Sequence, residues 1–447
     1  MEDSNKKPPS TDSGNANVET LLDQLSAVQL KEGKAGNDES SATGLAPDLN
    51  NAVSTSIKAA APKHAFWNTQ PVSKFTEEVK SDDIGPIDSN TDVERIRKHP
   101  YTLPDAFEWI DIDVKNDDDM SQLYTLLTEN YVEDYENLFR FDYKPDFLQW
   151  AMTPPDYKKD WHVGVRVKSS KRLVGFISGI PATVRVCGSV LTAAEINFLC
   201  VHKQLRSKRL APVLIKEVTR RVNLCGIWQA VYTAGVVIPK PVATCRYWHR
   251  PLNIKTLVQS RFFSIGSRMT VSMAQRLYKL PPDTGDVNMR LMEPRDVDGV
   301  RWLIESHLES CKIHPVYTDE EIRHIFLPRD GIIYTYVITS EAGTVTDLFS
   351  FYCLGSSVIG NSKIGRINAA YLYYSIATTI ALKKLMERGL QFALDAQCDV
   401  FNALDMMNNQ EVFKDLKFGE GDGSLHYYLY NWRLPQLKPS DIGIVMP

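Results

Sequence analysis

The sequence lacks several common signatures, and each absence narrows the field. Its seven cysteines are an odd number and form no C-x-x-C pair. That spacing excludes a zinc ribbon or a disulfide frame and leaves reduced thiols. No apolar run approaches the roughly 20 residues that a membrane span requires. No excess of cations exists either: 51 Lys and Arg against 55 Asp and Glu leave a net charge of −4. Bulk or sequence-specific recognition of nucleic acid is therefore not expected, and a polyanion would have to be met by a local cluster. The start is polar and acidic, so no secretory signal is expected. The chain begins Met1-Glu2 and does not end in a C-a-a-X box, so no lipidation of the chain itself is expected. A cytoplasmic monomer without a metal is the expected setting.

Aromatic residues are missing before Phe66. The preceding segment is rich in Ser, Asn, Gly, Asp, Lys and Ala, which cannot bury enough surface to offset their ordering entropy. Residues 1–60 are thus expected to be disordered. Within them, "VETLLDQLSAVQL" puts Val18, Leu21, Leu22, Leu25 and Val28 on one helical face. That spacing fits a short partner-binding helix or a transient nascent one. Any ribosome contact would run through this segment.

The rest is dense in aromatics. Of the 447 residues, 43 % are hydrophobic and 24 % charged, the balance of a soluble globular chain of two or three domains. "LVGFISGIPATVRV" reads as strand, turn, strand; "AAEINFLCV" as a strand; "PVLIKEVTRRVNLCG" as a helix with Pro212 in its first turn and Gly226 as a stop. "WQAVYTAGVVI" reads as a strand. A Pro- and Gly-rich boundary follows at residues 279–286. Beyond it come a helix near residues 296–308, strands at "IIYTYVI" and "VTDLFSFYCL", a helix at "SIATTIALKKLMERG" and a strand at "LHYYLYNW". Both halves run helix, strands, helix, strand. The expected fold is a duplicated mixed α/β sheet with halves at residues 64–278 and 286–447.

One stretch concentrates the chemistry. "EINFLCVHKQLRSKRLAPVLIKEV" runs from an apolar strand through Lys203, Arg206, Lys208 and Arg209 into a helix. Free amides and the positive dipole end of a helix start suit a phosphate or pyrophosphate. The glycines of a P-loop or a dinucleotide-binding turn are absent. Arg206-x-x-Arg209-x-Ala211 instead keeps the spacing of the R/Q-x-x-G-x-G/A turn of coenzyme A-dependent N-acyltransferases, with Arg at the central Gly. A strand that bulges or splays just before such a turn frees backbone N–H groups for an oxyanion, and Phe198-Leu199 lies there.

"EINFLCVHK" and "KFGEGDG" together resemble the two signature segments of the eukaryotic glycylpeptide N-tetradecanoyltransferases, the protein N-myristoyltransferases. "HAFWNTQPV", "NYVEDYENLFRFDY", "YTAGVVIPKPVATCRYWHR", "VFNALD" and "YYLYNW" match that family in the same order, over residues 64–447. The resemblance implies two GNAT-like halves related by a pseudo-twofold. The first would bind myristoyl-CoA as co-substrate, and the second would build much of a groove for proteins or peptides with N-terminal glycine.

Residue by residue, the resemblance implies that His64, Ala65, Phe66 and Trp67 lie along the acyl-CoA. Phe198 and Leu199 would supply oxyanion amides, with Cys200 and Val201 beside the thioester. Ser207, Lys208, Arg209, Leu210 and Ala211 would hold the coenzyme phosphates. Asn197 and Thr233 would ligand the glycine amine and its backbone, and the base would be the α-carboxylate of Pro447. Gly235, Tyr247, His249, Asp422 and Gly423 would meet the peptide, as would Tyr131, Phe139, Phe141 and Tyr143. Asp134, with Glu133, Glu136 and Asp142, would attract a basic substrate. Three positions depart from the family's pattern: Tyr135, Leu372 and the terminal Pro447. They bear on substrate range and rate, and leave open a binder of acyl-CoA or Gly-peptide with weak or altered transferase activity.

Overall fold

The structure is a computed structural model that describes residues 64–134, 136–282, 287–361 and 363–447. The expectations for residues 1–60, for Tyr135 and for the end of the 279–286 boundary lie outside the described residues. Among the described residues no helix is long and apolar enough to cross a membrane.

The first half supplies β1 (Phe107–Asp111), β2 (Phe139–Asp142), β3 (His162–Val167), β4 (Leu173–Val186), β5 (Ser189–Val201), β6 (Gln229–Ala234) and β7 (Ala243–Pro251). Its helices are α1 (Asp117–Asn130), α2 (Pro145–Met152), α3 (Leu210–Leu224), α4 (Ile254–Gln259) and α5 (Val271–Tyr278). The second half supplies β8 (Arg290–Leu291), β9 (Ile313–Pro315), β10 (Ile333–Thr339), β11 (Val345–Cys353), β12 (Gly355–Val358), β13 (Arg366–Ile367), β14 (Ala369–Ile376), β15 (Val400–Leu404) and β16 (Gly419–Tyr430). Its helices are α6 (Val297–Leu308), α7 (Asp319–Phe326), α8 (Leu382–Asp395) and α9 (Gln410–Phe413).

One 13-stranded sheet passes through both halves in the order β1-β3-β4-β5-β6-β16-β7-β15-β14-β11-β10-β8, with β9 on β4. The duplication is visible in its connections. In the first half β5 is joined through α3 to the parallel β6. In the second, β14 is joined through α8 to the parallel β15. The last strands are exchanged: β16 pairs with β6, β7 pairs with β15, and the two pair with each other at the centre. The expected duplicated mixed sheet is thus a single layer whose midline is a strand swap. A small second sheet of β2, β12 and β13 lays residues 139–142 across the second half.

Three local expectations change. "LVGFISGIPATVRV" is one continuous strand, β4, with no turn in it. The strand β3 covers its edge as far as Ser178, and β9 takes over at Val184. Pro181 falls in the uncovered gap, where a residue without an N–H costs no ladder bond. The strand at "WQAVYTAGVVI" stops at Ala234. The helix expected from Ser375 starts only at Leu382, because Ser375 and Ile376 finish β14.

Helix α3 shows why the first half holds together. Leu210, Leu214, Val218 and Val222 repeat every fourth residue and are buried, a stripe that faces the sheet. It rides so close to β4 that a Cβ on Gly175 would lie 3.0 Å from Leu210 Cδ2.

Candidate active site

The site begins with a defect in β5. Its antiparallel register with β4 runs Ser178↔Asn197, then Phe176↔Cys200. Phe198 and Leu199 therefore oppose the single residue Ile177, which makes a β-bulge. Phe198 has φ +53°, a conformation that costs a bulky residue about 1–2 kcal/mol. Packing holds it there: its ring is buried, 5.2 Å from the Tyr143 centroid and 6.1 Å from that of Tyr131. On the other edge, the parallel ladder with β6 ends at Ile196↔Tyr232, while β6 continues to Ala234 alongside β16. The two strands part at that point. Phe198 and Leu199 lie outside both registers, and the Phe198 N–H turns instead to Asn197 Oδ1 at 2.8 Å.

The C-terminal tail enters the same space. Ile442, Ile444, Val445 and Met446 are buried. The Gly443 N–H donates to Ile313 O at 2.7 Å, and the Tyr374 hydroxyl donates to Gly443 O at 2.9 Å. A Cβ on Gly443 would meet Leu308 Cδ2 at 2.7 Å, so a larger residue there would have to push Leu308 and Cys311 aside. At its end, Asn197 Nδ2 donates to the terminal oxygen of Pro447 at 2.9 Å. One side chain thus links the bulge amide to the tail. Thr233 follows Tyr232 on β6, opposite Tyr427 of β16. Among the described residues nothing lies within 4 Å of a Cβ built on Gly235, so space beside it is open.

After β5 the chain makes a short 3-10 turn, Lys203–Lys208, and reaches α3 through Arg209 at φ +57°. The bulky residue takes the left-handed conformation that the glycine of such turns provides. Arg209 gives α3 no side-chain cap. Ser207 and Arg209 are exposed and Lys208 is half-buried. Leu210 is buried under α3, and Ala211 lies in the first helical turn. Arg206 and Lys203 face elsewhere: Arg206 donates to Asn130 O, and Lys203 Nζ reaches Glu133 Oε1 at 2.7 Å. The expected cluster of four cations is therefore smaller at the helix mouth, because two of them brace the segment after α1.

The segment from His64 to Trp67 crosses the mouth of the splay. Trp67 stacks on Tyr232 at 5.8 Å and 7°, and Tyr232 on Tyr428 at 5.0 Å and 11°. Tyr232 is the last residue of β6 still paired with β5. Phe66 lies edge-on to Trp67, the His64 ring is 5.7 Å from Phe75, and Ala65 is exposed. Inside, Cys200 is buried, which pushes its thiol up to about 12, and Val201 is buried beside it.

A second wall is aromatic. Tyr143 joins Tyr131, Phe141 and Phe198, and Phe141 continues to Tyr371. Phe139 meets Phe262, which meets His249. His249 Nδ1 lies 2.6 Å from Asn402 Oδ1 across the β7–β15 ladder. Burial lowers the basicity of His249, against the pull of Asn402 and the charge of Asp422. Between Glu420 and Ser424, β16 bulges away from β7, which projects Gly421, Asp422 and Gly423. A Cβ on Gly421 would lie 2.4 Å from His249 Nε2, and one on Gly423 3.6 Å from Tyr247 Cδ2.

The acidic run is less free than its sequence suggests. Glu133 pairs with Arg140 and Lys203, and buried Asp142 with Arg366 and Lys144. Asp134 caps its own turn through Leu138 N and Phe139 N but stays exposed, as does Glu136. Leu372 is packed with Phe349, Phe351 and Phe401, on the opposite face of β14 from Tyr371. Among the described residues no group of three or more His, Cys, Asp or Glu is placed to hold a metal ion.

Sequence inspection passed over Tyr232, Tyr374, Asn402 and Glu195. The last two carry the signal of a polar residue inside an apolar strand; the tyrosines look like core.

The sequence model described as "Myristoyl-CoA:protein N-myristoyltransferase, N-terminal domain" matches residues 86–245, and the corresponding C-terminal domain matches residues 259–445. The glycylpeptide N-tetradecanoyltransferase of Drosophila melanogaster is 50 % identical over 391 residues, 88 % of this chain and 82 % of that protein. The glycylpeptide N-tetradecanoyltransferase of Plasmodium falciparum (isolate 3D7) is 49 % identical over 383 residues, 86 % of this chain and 93 % of that one. The structure of Saccharomyces cerevisiae N-myristoyltransferase with bound myristoyl-CoA superposes with a TM-score of 0.82 at 40 % identity, covering 87 % of this chain and all of that one. With family matches to both halves and half of its aligned residues shared with such relatives, the chain belongs to the myristoyl-CoA:protein N-myristoyltransferase family.

Proposed function

We propose that this chain transfers the tetradecanoyl group of myristoyl-CoA to the amine of an N-terminal glycine by direct attack on the thioester. The backbone N–H groups of Phe198 and Leu199 receive the oxyanion. They point from a fixed bulge and need no rearrangement of the strand, and each such donor is worth on the order of 10²–10³ in rate. The Phe198 N–H, held by Asn197 Oδ1 in the free chain, is shared with the thioester oxygen when the substrate binds. Ser207, Lys208, Arg209, Leu210 and Ala211 hold the coenzyme phosphates at the mouth of α3, and His64 to Trp67 cover the coenzyme.

The acceptor amine has a pKa of about 7.7–8.0 and must lose a proton before it attacks. The terminal carboxylate of Pro447 takes it. Asn197 and Thr233 orient the amine, and the wall of Tyr131, Phe139, Phe141, Tyr143, Tyr247 and His249 guides the peptide behind it. Asp422 and Gly423 approach it from the β16 bulge, and Asp134 draws a basic side chain.

The observation that supports this most is the double contact of Asn197, to the bulge amide on one side and to Pro447 on the other. Acyl transfer by the pure protein tests it, with myristoyl-CoA and shorter acyl-CoAs, on a Gly-start peptide and its Ala-start control. Product is expected only on the Gly-start peptide and fastest from myristoyl-CoA. Transfer to the Ala-start control at equal rate contradicts the proposal.

A further inference from the structure

The seven cysteines are free thiols, and two of them meet. Cys353 Sγ lies 3.9 Å from Cys398 Sγ, 45 residues away in sequence. Among the described residues this is the one contact between cysteine sulfurs. Both backbones are pinned. Cys353 ends β11 opposite Ala370 of β14, and its N–H donates to Ile332 O at 2.7 Å. Cys398 follows α8 through Gln397 at φ +62°, and its N–H donates to Ala393 O at 3.0 Å. Strand β14 runs between β11 and β15. Its Ala370 offers only a methyl group beside Cys353, and both thiols pack in the same apolar cluster as that alanine.

The two thiols are not equivalent. Cys398 is buried, and its hydrogen bond with Cys353 and its burial push its thiol far above the ordinary cysteine value. Cys353 is half-buried, so a small solute reaches it first. Access and low thiolate character together assign the roles: Cys353 meets the reagent, and Cys398 waits as the thiol that resolves it.

The chain on either side of the pair runs into the two walls of the site. From Cys353 it continues through Leu354 into β12, whose Gly355 and Ser356 pair with Asp142 and Phe141 of β2. From Cys398 it continues through Asp399, whose carboxylate accepts from Asn368 N at 3.0 Å and from Asn253 Nδ2 at 2.9 Å. Strand β15 follows, where Asn402 lies 2.6 Å from His249 Nδ1. Phe141 and His249 belong to the wall assigned above to the peptide.

We propose that Cys353 and Cys398 are an oxidisable dithiol site, which hydrogen peroxide closes to a disulfide, and that closure weakens the peptide side of the active site. The Cys353 sulfur attacks the peroxide O–O bond and becomes a sulfenic acid, while the departing hydroxide leaves as water with the Cys353 proton. The Cys398 sulfur then attacks the sulfenic sulfur. The S–O bond breaks, the S–S bond forms, and hydroxide leaves with the Cys398 proton as a second water. Two electrons pass from the two sulfurs to one peroxide. A monothiol reopens the bond by exchange. A disulfide holds its sulfurs about 2.05 Å apart, so closure draws the start of β12 and the start of β15 together by up to roughly 2 Å. The effect on the peptide rests on the groove as assigned above; the disulfide itself does not.

Mass spectrometry on the full chain tests this. Cys225→Ser removes the exposed thiol and with it disulfides between molecules. The folded chain is treated with hydrogen peroxide, quenched, alkylated after unfolding and digested. The expected product is one cross-linked pair of peptides joining Cys353 to Cys398, lighter by two hydrogen atoms and split by dithiothreitol. Cys353→Ser and Cys398→Ala each abolish it, and either decides the matter should the other fail to fold. Phenylarsine oxide, which bridges two neighbouring thiols with loss of one water, is expected to protect both from alkylation in the folded chain. Recovery of both as thiols after peroxide, or of Cys353 as a sulfinic acid with Cys398 unchanged, overturns the proposal. In the oxidised chain the KM of a Gly-start peptide is expected to rise by about threefold or more, with the dissociation constant of myristoyl-CoA unchanged. His249→Ala in the reduced chain separates the two claims. If it raises that KM while closure does not, the link from the dithiol to the groove is wrong. If neither raises it, the groove itself is wrongly assigned.

Discussion

The two halves carry the same device with opposite contents. In each, an antiparallel pair bulges just beyond the point where a parallel pair ends. The first half does so at Phe198-Leu199, after Ile196↔Tyr232; the second at Tyr373, after Tyr371↔Asn402. Each then leads through a short connection into a helix. In the connection just before α8, three amides already have an anion. Asp347 Oδ1 accepts from Thr378 N at 2.8 Å, Thr379 N at 3.0 Å and Ile380 N at 3.4 Å. At the mouth of α3 the sequence provides Ser207, Lys208 and Arg209, and Arg209 gives no side-chain cap. The two matching connections are thus used differently. A single buried aspartate fills one, and basic residues border the other.

Four changes would break or sharpen that contrast. The largest effect is expected for Leu199→Pro, which removes one bulge N–H at a position outside both strand registers. Its kcat should fall on the order of 10²–10³-fold, with the dissociation constant of myristoyl-CoA, read by calorimetry, within about threefold. The matching change in the second half is Asp347→Ala. It should cost about 3 kcal/mol of stability in urea titration, because three amides and the hydroxyls of Thr346 and Thr379 lose a buried charged acceptor.

The Asp347 effect should depend on pH. Burial raises the Asp347 carboxyl, but the hydrogen bonds from Thr379, Thr346 and Thr378 outweigh it and hold the group below its ordinary value. A depressed carboxyl stabilises the fold fully above its unfolded value of about 3.9 and loses that contribution as the pH falls through its folded value. The stability gap between the unaltered chain and Asp347→Ala should therefore be constant near neutrality and narrow below about pH 4.

Smaller effects are expected at Arg209. Arg209→Glu should weaken myristoyl-CoA binding by about tenfold, the scale of one lost charge contact, and leave peptide affinity unchanged; an equal loss of peptide affinity would remove the phosphate assignment. Arg209→Gly should stabilise the fold by up to about 1 kcal/mol, since glycine takes φ +57° without strain, while coenzyme affinity still declines. Chemical denaturation beside calorimetry separates the two.

Much of this was legible in the residues. The strand-turn-helix from Glu195 onward, the run of cations and the paired signature segments pointed to a coenzyme A thioester and to a duplicated sheet. What escaped depended on neighbours distant in sequence. Pro181 reads as a turn until one sees that, among the described residues, no strand covers its edge of β4. Ser375 and Ile376 look helical because the run after them is, yet Asp347, some 30 residues earlier, holds the amides of Thr378 and Thr379 and sets where α8 begins. Arg206 looks like a phosphate ligand until Asn130 claims it.

The account turns on Pro447, whose terminal oxygen meets Asn197 beside the bulge. A rapid-quench measurement of one turnover tests that most directly, comparing the chain with one extended by a single residue, both preloaded with myristoyl-CoA. Moving the carboxylate should slow the first acyl transfer on the order of 10²–10⁴-fold, the worth of a general base, at unchanged coenzyme affinity. Equal first-turnover rates would contradict it.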